Sequence, residues 1–495
     1  MNKPSRNTLR VQSAVPAFPF GSASALVRGL KSGRVTSVAL LEAYLERVDR
    51  LGASINAIVV HDRDQARRDA RAADRALSKG KPLGALHGLP MTVKEAFDLT
   101  GHPTTQGHVA LKNNIAARDA LAVQRLKAAG AVVFGKTNVP LNNADMQTYN
   151  EVYGTTNNPW DVTRGAGGSS GGGAAAVAAG LVGLEYGSDI GGSIRNPAAY
   201  CGIYGHKCTW SIVPKRGHAL ARTPVAEADL AVLGPLARSA EDLWLALRVT
   251  AGPDDLTATG LRYRLPAPLA RLKGLRVAVW ADDANAPVDN HVRAGVEKAA
   301  HALAMAGAKV NFKARPAFDA SAAHATYLSL LLAQTSARRP DYARLALART
   351  RLADDDQSPE AQSLRLATQS FKEWYEANQR RETLRWAWHN FFGRHDVLLA
   401  PATVSAAFAH DHSQPATARN MRVNGADTPY FAQLFWAGLA TCAFLPATAA
   451  PAGLTPEGLP VGVQIIGAEM NDRTTIWVAA QLARLTGGFV APPGY

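Results

Sequence analysis

The chain has 495 residues, 47% hydrophobic and 19% charged, which excludes a disordered protein and supplies enough apolar material for a large core. A formal net charge of +14 invites a nucleic-acid partner, but the basic residues are mostly arginines interspersed with acids and alanines, as over 62–81. That pattern is a solvated helix face, so nucleic acid is set aside.

At the amino end Lys3, Arg6 and Arg10 precede a mildly apolar stretch, 11–25, in which Ala23-Ser24-Ala25 has the look of a cleavage site. Pro16 and Pro19 break that stretch, and the expected location is the cytoplasm. Over 36–51 the residues Val38, Leu41, Leu45 and Val48 recur at helical spacing, with Thr36 or Ser37 able to cap. Residues 55–61 read as a strand and 62–78 as a polar helix closed by Gly80. A strand over 91–97 then carries Lys94 among apolar neighbours, where an ammonium would be poorly solvated. Glu95 points to the opposite face of a regular strand, which leaves Lys94 free to be neutral.

Residues 119–129 read as a helix and 131–134 as a buried strand. The run GAVVFGKT from Gly130 to Thr137 matches the phosphate-binding P-loop pattern. In a P-loop, however, a strand precedes the first glycine; here a helix precedes it and the intervening residues are themselves the strand. Nucleotide binding is therefore set aside. The polar stretch 149–164, with Asn157-Asn158-Pro159-Trp160 as a turn, is expected to be loop. Gly167-Gly168-Ser169-Ser170-Gly171 satisfies the GxSxG elbow of other hydrolases, but an elbow needs a strand just before it, and the expected loop argues against one.

Residues 165–195 combine a glycine-rich entry with Ser169 and Ser170, a small-residue helix over 174–181, a strand over 184–186 and a second glycine turn ending in Ser193. Glycines beside a serine bend the backbone where side chains would clash, so main-chain N–H groups converge on one point, as chemistry that makes an oxyanion requires. In Asp189-Ile190-Gly191-Gly192-Ser193 the turn amides can face a carbonyl oxygen with the Ser193 hydroxyl beside it. With Ser169, Lys94 then completes a nucleophile, a relay and a base, and no histidine is needed.

Beyond 223 the pattern alternates: helix 242–249, strand 275–280, helix 291–305 and strand 308–312, the spacing of a layered α/β architecture. Residues 317–393 are mostly helical. Strands over 397–401 and 461–466 and a helix over 472–485 follow, and no internal repeat stands out. The uncharged stretch 435–454 is interrupted by Gly438, Pro446, Pro451 and Gly453, so it reads as helix, turn and strand rather than a membrane span. Cys201, Cys208 and Cys442 make no disulfide framework and suit a reducing compartment. With His206, the first two are too few for a metal site and read as buried structural thiols.

Three stretches, HGLPMTVKEAFD around Lys94, GAGGSSGGGAAAVAAG around Ser169 and GSDIGGSIRNPAAYCGIYGHK around Ser193, together resemble the amidase signature family, serine hydrolases with a Ser-Ser-Lys triad. The resemblance runs from the first helix to LPVGVQIIG at 459–467, with Cys208 standing where proline is usual. It implies an α/β fold, a single large layered α/β/α domain over 1–495 around a mostly parallel or mixed twisted sheet, with 317–393 shaping the substrate entrance. It further implies Ser193 as nucleophile, Ser169 as the bridging serine in a cis peptide, Lys94 as base, and the amides of Ile190, Gly191, Gly192 and Ser193 as oxyanion hole. Ser170 and Ser188 would support these from behind, while Asp189 and Arg195 brace the turn. No cofactor and no metal are implied. The expected reaction is hydrolysis of small carboxylic amides through an acyl-enzyme, with esters, anilides and carbamates or urethanes as further substrates. No membrane span is expected, and a homodimer is allowed. The rival readings are a glutamine amidotransferase subunit using the same triad with partner chains, and a non-catalytic binding protein on this scaffold.

Overall fold

Short runs of apolar and β-branched residues bounded by turns build the central sheet of the computed structural model, which describes residues 11–12, 18–219, 226–337, 339 and 341–495. Lys3, Arg6, Arg10 and Pro16 of the leader-like reading lie outside the described residues. Among those described, eleven strands join: β1 (Ile58–His61), β2 (Pro90–Lys94), β3 (Val132–Thr137), β4 (Leu184–Asp189), β5 (Tyr204–Lys207), β6 (Val232–Ala237), β7 (Arg276–Val279), β8 (Lys309–Asn311), β9 (Val397–Pro401), β10 (Ala447–Leu454) and β11 (Pro460–Gly467). Their spatial order is β1-β3-β2-β4-β6-β5-β10-β11-β9-β7-β8. The sheet is mixed. β2 lies parallel to β3 and β4 near one edge, and β7 lies parallel to β8 and β9 at the other. The strands between these flanks pair antiparallel.

Helices cover both faces. Alternate residues of β11 point in opposite directions: Val461 meets Gly295 of the helix Asn290–Met305, and Gly462 meets Ala199 of the helix Arg195–Cys201. Every residue of β11 is buried in consequence. The cap read from sequence at Thr36 acts as expected, and the structure adds one at Asp62. The Thr36 hydroxyl accepts from the Ala39 amide at the start of Ser37–Ile55, and Asp62 accepts from Gln65 at the start of Arg63–Ser78. Ala23-Ser24-Ala25 opens the helix Ala23–Lys31, its first two amides bound by the Asp242 carboxylate at 2.7 and 2.8 Å. The stretch that matches the P-loop pattern forms β3, the strand expected there. Lys136 is buried within it and donates to Thr104 Oγ1 and the Pro103 carbonyl, so no phosphate cradle exists there.

One expectation is corrected. Residues 149–164 are not plain loop: Tyr149–Asn150 pairs with Gly154–Thr155, and Asn157–Asn158 pairs with Asp161–Gly165. A strand therefore does precede Ser169, held by backbone pairing that polar side chains do not announce. It stands outside the central sheet, unlike the strand of a hydrolase elbow.

The helix α1 (Gly171–Ala178) follows directly, and its three leading glycines explain how it lies so close to the sheet. A Cβ on Gly172 would fall 2.7 Å from the Asn138 carbonyl oxygen and 2.8 Å from that of Ala57, both backbone atoms. Alanine prefers a helix to glycine by about 1 kcal/mol, but overpacking against fixed backbone costs about 1–3 kcal/mol, so the clash decides the sign. We expect Gly172→Ala to lower the urea midpoint without changing the slope of the unfolding transition.

Candidate active site

Period-two alternation places Thr92 and Lys94 on the same face of β2, and the register sets Thr92 beside Glu185 of β4. Lys94 is fully buried. Its Nζ lies 2.6 Å from Ser169 Oγ and 3.1 Å from Ser188 Oγ. Burial lowers its pKa from the ordinary lysine range to about 7, opposed more weakly by the charges of Asp189, Glu185 and Glu95. Glu95 itself faces away and accepts the amides of Thr105 and Gln106.

Ser169 follows a cis Gly168–Ser169 peptide and is 1% exposed. The bend before it needs glycine. Gly167 has φ +83°, and a Cβ there would sit 2.6 Å from Pro197 Cα. Asn196 Oδ1 accepts the Gly168 amide at 3.2 Å, tying this loop to the helix after Ser193. The Ser170 hydroxyl donates to the Ser188 carbonyl at 3.2 Å, and the Ser170 amide donates to the Ser193 carbonyl at 3.0 Å. The two glycine clusters are thus stitched together through backbone.

The Ser193 turn is organised by a buried ion pair. Asp189 Oδ1 accepts from Gly192 N at 2.9 Å and Arg195 Nη2 at 2.8 Å. Its Oδ2 accepts from Ile194 N at 3.0 Å and Arg195 Nε at 3.0 Å. Burial alone would raise the Asp189 pKa; the Arg195 guanidinium and the Ile194 amide overcome it and hold the carboxyl at about 2. Arg195 continues to the Ala437 carbonyl, Gln464 Oε1 and Thr441 Oγ1. Of the four amides expected to face an oxyanion, that of Gly192 is consequently occupied by Asp189. Those of Ile190, Gly191 and Ser193 meet no acceptor among the described residues. Ser193 is 7% exposed, and its hydroxyl likewise bonds to no described residue.

The structure therefore brings Lys94, Ser169 and Ser188 into direct contact, sets Ser193 and Ser170 beside them through backbone, and uses Asp189 and Arg195 as a brace. Sequence reasoning missed Glu185. Its carboxyl accepts from Thr92 Oγ1 and, at 2.7 Å, from Thr137 Oγ1, and burial pushes its pKa up to about 8. A lone glutamate in the apolar strand LEYGSD was the available signal. Cys201, His206 and Cys208 do not converge. The two thiols donate to the Ala166 and Leu233 carbonyls, and the imidazole bonds Thr448 and Asp472.

A family model described as Amidase matches residues 39–476. The chain is 32% identical to an indoleacetamide hydrolase of Bradyrhizobium diazoefficiens, over 92% of this chain and 85% of that protein. It is also 32% identical to one subunit of the glutamyl-tRNA(Gln) amidotransferase of Anaeromyxobacter sp. strain K, over 94% and 96% of the two chains. The fold superposes on a bacterial aryl acylamidase of the amidase signature family with TM-score 0.80 and 26% identity, covering 94% of this chain and 96% of that one.

The buried amine has a consequence for stability. Lys94 binds its proton less readily folded than unfolded, so its penalty is fully present below about pH 7 and fades as pH climbs toward the ordinary lysine range. Lys94→Met keeps the length and removes the charge. We expect its gain in Tm over the parent to be largest near about pH 6 and to shrink by about pH 9. A pH-independent difference would refute the buried-amine account.

Proposed function

The chain belongs to the amidase family and hydrolyses carboxylic amide C–N bonds, and we propose that it does so through an acyl-enzyme on Ser193, with Ser169 as relay and Lys94 as base. The observation that carries this reading is the 2.6 Å contact between the fully buried Lys94 amine and Ser169 Oγ. Serine is a weak nucleophile at neutral pH and needs a base within reach or through one relay. A lysine held near pKa 7 has a substantial neutral fraction there.

In the proposed sequence Ser193 Oγ attacks the carbonyl carbon. Its proton passes to Ser169 Oγ, whose own proton moves to Lys94 Nζ. The oxyanion is met by the amides of Ile190, Gly191 and Ser193, and the Gly192 amide acts indirectly by locking the turn to Asp189. Collapse breaks the C–N bond as the proton returns by the same relay to the leaving nitrogen. Water then cleaves the acyl ester with Lys94 again as base.

Because the route asks only for a carbonyl carbon and a leaving group, we take small carboxylic amides as the substrate class, with anilides, esters and carbamates open to the same chemistry. Glutamine delivered within a multi-chain amidotransferase is the rival. The protein assayed alone on simple amides, anilides, carbamates and glutamine separates the two. We take residues 1–495 as one domain whose helical segment 317–393 shapes the substrate entrance. We place it in the cytoplasm, a reading supported by three buried free thiols. No helix among the described residues is long and apolar enough to cross a membrane.

We expect Ser193→Ala to abolish turnover, and Lys94→Ala and Ser169→Ala each to lose on the order of 10³-fold or more in kcat. Turnover by Ser193→Ala would overturn the assignment. Because the base works without its proton, kcat/KM should rise as pH increases through about 7 and level off above it. A profile flat across that range would remove Lys94 from the mechanism.

A further inference from the structure

Tyr327 lies in the helix α2 (Ala320–Ser336), far along the chain from the Ser193 turn, yet its side chain ends there. The ring is fully buried against the helix α3 (Gln433–Thr441), where a Cβ on Gly438 would fall 3.0 Å from Tyr327 Cε1. Glycine at 438 leaves the space that the ring fills. The phenol donates to the Ile190 carbonyl at 2.9 Å. Burial raises its pKa, so it remains a protonated donor.

A peptide group is planar and trans, so the Ile190 carbonyl and the Gly191 N–H share one plane and point in opposite directions. Holding the carbonyl therefore fixes where the N–H is aimed, and the Gly191 N–H meets no acceptor among the described residues. The next peptide group is fixed separately, by the Gly192 N–H on Asp189 Oδ1. Two consecutive peptide planes of the turn are held from different parts of the molecule, one by the strand that leads into it and one by the helical segment.

We propose that Tyr327 is a positioning residue: by holding the Ile190 carbonyl it aims the Gly191 N–H at the oxygen that becomes the oxyanion, and so ties α2 to the chemical step. The proposal rests on the acyl-enzyme reading above. Its signature is loss of transition-state binding with substrate binding kept, because Tyr327 itself has no reacting atom to touch.

Tyr327→Phe keeps the packed ring and removes the single donor. We expect kcat to fall by about ten-fold with KM within about two-fold, less than the loss from deleting a direct oxyanion donor. Affinity for a boronic acid that mimics the tetrahedral intermediate should weaken by the same factor, while inhibition by the carboxylate product stays unchanged. Both affinities are read on the folded fraction, with Tm followed alongside. An unchanged kcat, or a rise in KM with boronate affinity intact, overturns the role of Tyr327. Ser193→Ala run in parallel separates the two failures. If that variant is dead while Tyr327→Phe has parental kcat, only the Tyr327 inference falls; if it turns over, the acyl-enzyme reading falls and this inference with it.

Discussion

The structure turns on keeping one lysine amine dry. Lowering the Lys94 pKa from 10.5 to about 7 corresponds to a penalty on the order of 5 kcal/mol for its charged form, comparable with the whole net stability of a small domain. A surface loop could not enforce such a penalty, since the side chain would swing into water. A strand paired on both sides, beneath a helix, can. Lys94 ends β2, between β3 and β4, under α1, and its direct polar partners are the hydroxyls of Ser169 and Ser188. Hydroxyls satisfy the amine without demanding that it stay charged.

The nearby carboxyls fit the same requirement. An ionised, unpaired carboxylate in contact with the amine would draw it back to the ammonium form. Asp189 is ionised, but its charge is met by Arg195 and its lone pairs by amides. Glu185 lies on the face of the sheet that carries Lys94, and burial raises its pKa to about 8, so near neutral pH much of it carries a proton. The negative field at Lys94 is thereby weakened at two carboxyls by two different devices, a counter-ion at one and desolvation at the other.

This also explains what could be read in the sequence and what could not. A cap such as Thr36 acts within a few residues, so local pattern shows it. Lys94 and the two serine turns were visible because glycine and apolar spacing are local as well. Strand β6 escaped because VLGPLA carries glycine and proline, residues that weaken a strand pattern; its six residues pair antiparallel with β4, and Leu236 and Ala237 pair with β5 as well. The Asp161–Gly165 ribbon escaped because its partner strand is two asparagines. The occupied Gly192 amide could not be seen, since a turn sequence does not say which N–H faces inward. Tyr327 acts across 137 positions of chain, a separation no spacing rule covers.

The glycine run at the head of α1 links these points. Three consecutive glycines are a poor beginning for a helix, at about 1 kcal/mol each relative to alanine, so α1 must be held by what it packs against. Each glycine faces a different neighbour: Thr148 at Gly171, the Asn138 backbone at Gly172 and the Glu185 carboxyl at Gly173, where a Cβ would lie 2.6 Å from Glu185 Cγ. With side chains there, helix and sheet would be forced apart, and Ser169, two residues ahead of Gly171, would be drawn away from Lys94. Water admitted into the gap would restore the solvation that both Lys94 and Glu185 are denied. The weak helix-forming sequence is thus a condition of the dry amine, since only a helix without side chains on that turn comes near enough to the sheet to seal it.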